Sequence, residues 1–354
     1  MTVLADSAPV AQLPAHTVES WQTQLQNAIR DPAELALLLG LDLDALPYSA
    51  RADDDFELLV PHAFARRMRR GDPRDPLLLQ VLPDVQEEAL PPGFTIDPVG
   101  ELSLGSHDSG VLTKYSGRAL LIATGQCAVN CRYCFRRHYP YEDGAMSSAE
   151  RLQRIQALAG DASVKELILS GGDPLLLNDR QIAAVADEVS AAAHMTTLRI
   201  HTRLPVVIPE RVTSELLAAL SRPALQCVVV LHCNHAQEID AATASAIQRL
   251  RAAGITVLNQ AVLLAGVNDS PEALADLSDA LFAAGALPYY LHLLDKVAGA
   301  GHFDVPQTFA RQLVGELAGM RPGYLVPRLV VEVAGASSKR ELAPLYAGDG
   351  RRGD

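Results

Sequence analysis

Short apolar runs rich in β-branched residues recur along the last two thirds of the chain, and longer amphipathic stretches separate them. Apolar runs of this length, bounded by turn residues, are typical of buried strands. The predicted strands are RALLIAT (118–124), KELILS (165–170), TLRIHT (197–202), CVVVLH (227–232), ITVLNQAVLL (255–264) and LPYYLHLL (287–294). A seventh apolar run, YLVPRLVVEVAG, occupies residues 324–335.

The stretches between the strands have helical character. NDRQIAAVADEVSAAA (178–193) and PEALADLSDALFAAG (271–285) are two examples. The later strand starts recur about every 30 residues, which is the length of a βα unit. We therefore predict an α/β fold in which six βα units form a parallel sheet curled into part of a barrel. Active sites in such sheets lie at the carboxyl ends of the strands.

The first third of the chain has a different pattern. DPAELALLLG (31–40) begins with Asp-Pro and ends with Gly, and AFARRMRRGD (63–72) ends in the same way, so residues 17–90 are predicted to be helical and irregular. Segment 91–117 is rich in Gly, Pro, Ser and Asp and predicts a loop or linker. The predicted organisation is a helical extension and linker (1–117), a barrel core (118–295), a C-terminal segment (296–346) and a disordered tail (347–354).

Composition and charge exclude several classes of partner. The 354 residues are 49% hydrophobic, and 30 basic against 42 acidic residues give a net charge of −12. An acidic surface repels nucleic-acid backbones and anionic membranes. Residues 1–20 lack the basic start and apolar core of a signal peptide, and no run of 18 apolar residues occurs. We expect no nucleic-acid partner, no membrane span and a cytoplasmic location.

Three of the five cysteines fall within CAVNCRYC (127–134), directly after the first predicted strand. Clustered thiols in a reducing compartment are usually ligands or catalysts rather than disulfides. Cys127, Cys131 and Cys134 can hold three irons of a 4Fe–4S cluster and leave the fourth iron open to a small molecule. The alternative is a zinc site completed by His138, although structural zinc sites more often pair two short knuckles.

The cysteine spacing, with Tyr133 just before the last cysteine, resembles the signature of the radical S-adenosylmethionine (SAM) enzymes. LSGGDPLLL (169–177) ends the next predicted strand. It resembles that family's Gly-Gly-Glu/Asp segment, where strand-edge backbone and a carboxylate receive the SAM amino group. The matching residues are Gly171, Gly172 and Asp173, and glycines permit close approach of a ligand to the backbone.

A finer resemblance is to the lysine 2,3-aminomutases. CRYCFRRHYP, LSGGDPLLL, NQAVLLAGVND, LPYYLHLLD and EVAGASSK follow that family in order, over about residues 97–342. The chain resembles most the shorter members, which make β-lysine for elongation factor P. The resemblance implies a partial (β/α)6 radical SAM barrel with a helical N-terminal extension. It also implies pyridoxal 5′-phosphate (PLP) beside the 4Fe–4S cluster and SAM, free L-lysine as substrate, and an electron donor of the flavodoxin or ferredoxin type.

The resemblance assigns cofactor contacts to four further residues. Lys339 is expected to bind PLP covalently, and Arg118 to bind the PLP phosphate. His232 and Gln260 match SAM-contacting positions near strand ends. Each assignment has a plainer alternative: Lys339 and Arg118 as surface residues, and His232 and Gln260 as polar groups satisfied within the core.

The resemblance also implies how lysine is bound. Arg136 matches the residue that grips the substrate carboxylate, a task that suits a guanidinium; alternatively, Arg136 offsets the negative charge of the cluster. Asp295 and Glu332 match two acids that hold the ε-ammonium, although the larger enzymes carry Asp at the second position. The acidic pair favours lysine over glutamate, which is the alternative substrate; a non-catalytic, metal-stabilised scaffold is the alternative outside enzymes.

Larger family members also carry a zinc site, built from a C-terminal cysteine cluster and one upstream cysteine. Here Ser270 occupies the upstream position, and no cysteine follows Cys233. We therefore expect no zinc site of that kind.

Overall fold

The computed structural model describes residues 19–102, 110–141, 146–336 and 338–346. Within these ranges, nine strands form one sheet in which each strand lies next to its neighbour in sequence. They are β1 (Val111–Tyr115), β2 (Arg118–Thr124), β3 (Glu166–Gly171), β4 (Thr197–Thr202), β5 (Gln226–His232), β6 (Thr256–Val262), β7 (Leu287–His292), β8 (Arg328–Val331) and β9 (Arg340–Glu341). Strands β2 to β8 are parallel, and the edge strands β1 and β9 are antiparallel to their neighbours. The sheet is open, which confirms the predicted partial barrel.

The α-helices are α1 (Trp21–Gln26), α2 (Pro32–Leu39), α3 (Ala50–Asp55), α4 (His62–Ala65), α5 (Ser148–Ala159), α6 (Asp179–Ala191), α7 (Leu204–Val207), α8 (Ser214–Leu220), α9 (Ala241–Ala252), α10 (Pro271–Ala284) and α11 (Gln307–Met320). A helix follows each strand from β2 to β7, so the six predicted βα units are present. Across the described ranges, no helix combines the length and the apolar character needed to cross a membrane.

Helix α6 shows how the sequence specifies these units. The side chain of Asn178 accepts from the backbone N–H of Gln181, and the Gln181 side chain accepts from the backbone N–H of Asn178. This capping box satisfies backbone donors that the first turn leaves open. Ile182, Val185 and Val189 follow at helical spacing and are buried, so the helix packs on the sheet through one apolar face.

Alternation along the strands separates the core from the hollow of the barrel. On β4 and β6, buried residues alternate with half-buried ones. The half-buried set includes His201, and the charges that lower its pKa, after burial and Arg199, include Lys339 and Arg136. The half-buried face of β4 therefore looks into the hollow, near Lys339 and Arg136, while the buried face packs under the helices.

Two local predictions from the sequence were wrong. Val111–Tyr115 is a strand that pairs with β2 through a turn at Gly117 (φ 75°), whereas 91–117 was predicted to be a loop or linker. The short alternating run was masked by the Gly, Ser and Asp residues around it. In the segment 63–72, the helix ends at Ala65 and turns follow. The predicted disorder of 347–354 lies outside the described residues.

The N-terminal extension is joined to the cysteine loop by a buried ion pair. Arg132 is fully buried, and its Nε and Nη2 donate to the two carboxylate oxygens of Glu87 at 2.8 and 2.7 Å. Its Nη2 also donates to the Ala52 carbonyl at 2.9 Å, and its backbone N–H donates to the Gln80 carbonyl at 2.9 Å. Arg137 lies 2.8 Å from the same Glu87 carboxylate. The extension therefore holds the loop in place.

Replacing Glu87 with Gln should leave Arg132 buried without its anion. We expect the free energy of unfolding, measured by urea denaturation, to fall by about 3–5 kcal/mol. Asp187→Asn is the matched control, because Asp187 pairs with Arg222 at 2.6 Å but its side chain is 64% exposed. That change should cost less than about 1 kcal/mol. If the two substitutions lowered the free energy of unfolding equally, Glu87 would not be the residue that holds the cysteine loop through Arg132.

Candidate active site

Three cysteines of the loop between β2 and α5 form one group at the carboxyl end of the sheet. The backbone N–H of Cys134 donates to the Cys131 carbonyl at 2.9 Å, so the chain turns back on itself here. Burial raises the pKa of the Cys127 thiol, and the nearby Cys134 and Cys131 raise it further. Burial and the neighbouring Cys131 raise the pKa of Cys134 to about 11. The three thiols therefore lie within electrostatic reach of one another.

This donor set fits an iron–sulfur cluster. Three partly exposed thiols on one loop match the soft ligands that a 4Fe–4S cluster takes, and three ligands leave one of four irons without a protein ligand. His138, the alternative zinc ligand, is exposed, and its Nε2 lies 3.1 Å from the Ala298 carbonyl oxygen. In the part of the chain that the structure describes, no three His, Cys, Asp or Glu residues are grouped as ligands of a single ion.

Two glycines at the end of β3 support the cysteine loop. Gly172 donates its backbone N–H to the Thr124 carbonyl, and Asp173 donates to the Gln126 carbonyl, both at 2.7 Å. A Cβ on Gly172 would lie 2.1 Å from the Gln126 carbonyl oxygen, and Gly171 has φ 122°. Only glycine permits this backbone contact. The Gly-Gly pair thus fixes the segment that leads into Cys127.

The carboxylate of Asp173 joins the ends of β3 and β4. It accepts from Thr202 Oγ1 at 2.7 Å, from the Leu175 N–H at 3.0 Å, and from the N–H groups of Arg203 and Leu204 at 2.8 Å each. Burial raises the pKa of Asp173, against these hydrogen bonds, which lower it. The structure thus gives Asp173 a positioning task, and a contact to the SAM amino group stays a prediction.

His232 and Gln260 are brought together beside the cysteine loop. They are register partners at the carboxyl ends of β5 and β6. The Nε2 of His232 lies 2.9 Å from the hydroxyl of Tyr133, the residue before Cys134. Burial and the charge of Arg203 lower the pKa of His232 to about 3, so the imidazole is neutral near pH 7. Contact of either residue with SAM remains a prediction.

Arg136 is buried beside β3, and its guanidinium already pairs with the carboxylate of Glu101. Its Nε and Nη2 donate to the two oxygens of Glu101 at 2.7 and 3.0 Å, and its Nη1 donates to Ser170 Oγ at 3.0 Å. Burial alone would lower the pKa of Arg136, but the Glu101 carboxylate outweighs it and raises the pKa. Arg136 is thus a carboxylate-binding group. No local pattern pointed to Glu101, which lies in the Gly- and Pro-rich segment before β1.

Lys339, Glu332 and Asp295 all follow the carboxyl ends of two neighbouring strands, β7 and β8. Glu332 directly follows β8, and Asp295 comes three residues after the neighbouring parallel strand β7. The Nζ of Lys339 donates to Glu332 Oε2 at 2.5 Å. Burial lowers the pKa of His292, and the charge of Lys339 lowers it further, so the amine faces the hollow. An inward amine is the group that PLP requires.

Arg118 is separated from the other predicted site residues. It is exposed at the amino end of β2, whereas Cys127 follows the carboxyl end of the same strand. A strand of seven residues spans roughly 20 Å. Binding of the PLP phosphate by Arg118 therefore stays a prediction.

Sequence reasoning missed Arg203, which joins the cysteine loop to three other segments. Its Nη1 donates to Cys131 Sγ, and its Nη2 donates to Gln80 and Glu238. The available signal was its position, one residue after β4, at the end of the barrel where functional side chains gather.

Comparison with known proteins identifies the class to which the site belongs. The family model of the Radical SAM superfamily matches residues 121–225, from within β2 to the residue before β5. Among solved structures, Streptococcus suis SuiB bound to S-adenosylmethionine has a TM-score of 0.46 and 14% identity, covering 66% of this chain and 53% of that one. Residues 121–225 thus carry a radical SAM domain.

Curated relatives define the family within that class. The L-lysine 2,3-aminomutases of Escherichia coli K12 and Haemophilus influenzae are 45% and 44% identical to this chain. The alignments cover 95% and 91% of this chain and 98% and 95% of those proteins. The L-lysine 2,3-aminomutase of Clostridium subterminale is 30% identical over 92% of this chain and 78% of its own length. This chain belongs to the L-lysine 2,3-aminomutase family.

Replacing Gly172 with Ala should remove most of the bound iron, because the added Cβ would push away the backbone that leads into Cys127. Iron and acid-labile sulfide, measured after anaerobic reconstitution, test this. Gly319→Ala in α11 is the matched control, since nothing lies within 4 Å of the added Cβ. It should keep full iron content and gain about 0.5–1 kcal/mol of stability. Full iron in Gly172→Ala would refute the supporting role.

Proposed function

We propose that this protein converts free L-lysine to β-lysine by moving the amino group from the α to the β carbon. The observation that carries the proposal is the arrangement at the barrel mouth. The three thiols follow β2, Asp295 follows β7, and Glu332 and Lys339, which contact each other, follow β8, so all lie beyond the carboxyl ends of parallel strands. Relatives named L-lysine 2,3-aminomutase, 45% and 44% identical over nearly the whole chain, support it.

The residues present divide into sites for three cofactors. When bound, the cluster and SAM supply a carbon radical, and PLP supplies a conjugated ring that can carry the migrating nitrogen. Cys127, Cys131 and Cys134 would hold the cluster, and Lys339 would hold PLP. The proposed SAM and phosphate contacts are Gly171, Gly172, Asp173, His232 and Gln260 for SAM and Arg118 for the phosphate. A flavodoxin- or ferredoxin-type protein would supply the electron.

The two charged ends of lysine match charges that the chain holds in place. Arg136 is the carboxylate-binding group, as its paired contact to Glu101 illustrates. The 2.5 Å contact between the Lys339 ammonium and Glu332 supports a role for Glu332 in binding a cationic group. Asp295, on the neighbouring strand end, would be the second acid. A glutamate substrate would instead bring a third carboxylate to this pair, which disfavours the glutamate alternative.

The product would serve elongation factor P, in the cytoplasm. The likeness to the shorter members of the family supports this: the Escherichia coli relative is 45% identical, against 30% for the one from Clostridium subterminale. Iron and sulfide analysis of anaerobically purified protein distinguishes the enzyme from a non-catalytic zinc-stabilised scaffold, which would contain neither cluster iron nor sulfide.

Asp295→Asn should lower kcat/KM for lysine by roughly two powers of ten, or about 3 kcal/mol, because the ammonium would lose one of two anions in a half-buried site. Reconstituted protein with SAM, PLP and a reductant is assayed for β-amino-acid products from lysine and from glutamate. Asp304→Asn, which removes a partly exposed acid paired with Lys296 at 3.6 Å, should have no effect. Equal turnover of lysine and glutamate by the wild type would reject the proposed substrate.

Lys339→Ala should abolish the PLP adduct that borohydride traps, and it should leave the iron content unchanged, because Lys339 follows β8 whereas the three thiols lie on the loop after β2. Lys296→Ala is the control: its side chain is 53% exposed, and the adduct should persist. Peptide mapping of the reduced protein identifies the modified lysine. Reduced PLP on Lys296 in the wild type would overturn the assignment.

A further inference from the structure

The side chain of Arg203 is buried against a sulfur of the cysteine loop. Its Nη1 lies 2.8 Å from Cys131 Sγ and 2.8 Å from the Tyr133 hydroxyl. Only 6% of the residue is exposed. A fully charged guanidinium therefore donates a hydrogen bond to one of the three sulfurs that the proposed function assigns to iron.

Other side chains fix the orientation of Arg203. Its Nη2 donates to Gln80 Oε1 at 2.7 Å and to Glu238 Oε2 at 3.0 Å. Gln80 in turn donates to Glu238 Oε1 at 3.2 Å. The guanidinium carbon lies 5.2 Å from the ring centre of Phe64 and 5.8 Å from that of Tyr133. The guanidinium is therefore held by hydrogen bonds in its plane and by aromatic rings beside it. This orientation points Nη1 at the sulfur of Cys131.

A second buried arginine shows that this arrangement is not a general property of buried arginines in the barrel. Arg211 is fully buried, and its Nε and Nη2 donate to the carbonyls of Leu175 and Leu177 at 2.6 and 3.0 Å. Its Nη1 pairs with Asp179 at 2.7 Å. Arg211 thus donates hydrogen bonds to backbone carbonyls, as a structural arginine does, whereas Arg203 donates a hydrogen bond to a thiol.

A cation at this sulfur affects the two oxidation states of a cluster unequally. Reduction adds one electron, so the reduced cluster and its thiolates carry more negative charge than the oxidised form. Hydrogen bonds to the sulfurs and nearby positive charge stabilise the reduced form more and raise the reduction potential. Burial strengthens the effect because the interior screens charge less than water does. The Glu238 carboxylate, on the other side of Arg203, opposes it.

We propose that Arg203 is a positioning residue that orients Cys131 toward iron and raises the reduction potential of the 4Fe–4S cluster, with Glu238 limiting the increase. The proposal rests on the cluster of the proposed function. Removing Arg203 then makes the cluster harder to reduce, and removing the charge of Glu238 makes it easier to reduce. The two changes therefore move one measured quantity in opposite directions, which loss of packing alone does not do.

The test is a redox titration, followed by electron paramagnetic resonance, of the SAM-free cluster in the reconstituted full-length protein. For Arg203→Gln, we expect about a tenfold fall in the ratio of reduced to oxidised cluster at a fixed solution potential. This corresponds to a shift of about 59 mV to more negative potential for a one-electron couple. Glu238→Gln should shift it to less negative potential, and Arg211→Gln should leave it unchanged.

The outcomes separate this proposal from the proposed function. If the wild-type protein binds no iron and sulfide after reconstitution, it has no cluster, and both proposals fail. An iron-loaded Arg203→Gln with the wild-type potential overturns the role of Arg203 alone. If Arg203→Gln does not fold, Glu238→Gln decides: a shift to less negative potential supports the proposal, and no shift overturns it. An equal shift in Arg211→Gln reassigns the effect to loss of any buried arginine and also overturns it.

Discussion

The interaction on which the site depends is the pairing of buried arginines with carboxylates around an irregular loop. The loop that carries the three thiols has no helix or strand of its own over residues 125–140. Three arginines of the loop itself, together with Arg203 after β4, pair with three carboxylates from other segments: Glu87 pairs with Arg132 and Arg137, Glu101 with Arg136, and Glu238 with Arg203. Buried ion pairs of this kind specify geometry more than they add stability, and removing one partner is expensive. Each carboxylate comes from a different segment, so the loop is fixed from three sides.

Charge explains why the arrangement suits a cluster in an acidic protein. The four arginines and three glutamates around the loop carry four positive and three negative charges, so the set is close to neutral before any cofactor binds. The chain as a whole carries −12. Three thiolates would add negative charge at a point where the surrounding protein is already acidic. The surplus guanidinium, and the direct contact of Arg203 with Cys131, offset that charge locally.

Local sequence predicted the elements well and the contacts between them poorly. The bounds of β2 and β4 match the predicted strands, because alternation and turn residues act over a few positions. The cysteine spacing and the Gly-Gly pair were also readable, since each lies within one loop. By contrast, Arg203 meets Gln80 across 123 positions and Cys131 across 72. Such contacts depend on the curl of the sheet, which no window of sequence contains, and Glu101 and Glu238 were missed for the same reason.

The same pairing shapes how a lysine substrate can enter. Arg136 has five N–H donors; Glu101 takes two, Ser170 takes a third, and the Gly171 carbonyl lies 3.4 Å from Nη1. Four of the five N–H groups are then engaged, and the fifth lies on Nη2. Under the proposed assignment, a substrate carboxylate binds this N–H and shares Nη1, or it replaces Glu101. At the other end, Glu332 already holds the Lys339 ammonium. Under the proposed assignment, binding exchanges one partly buried ion pair for another, so neither charge is left without a partner. A substrate that carries only one of the two charges would form only one of the two new ion pairs. Selectivity for lysine therefore depends on both its carboxylate and its ammonium.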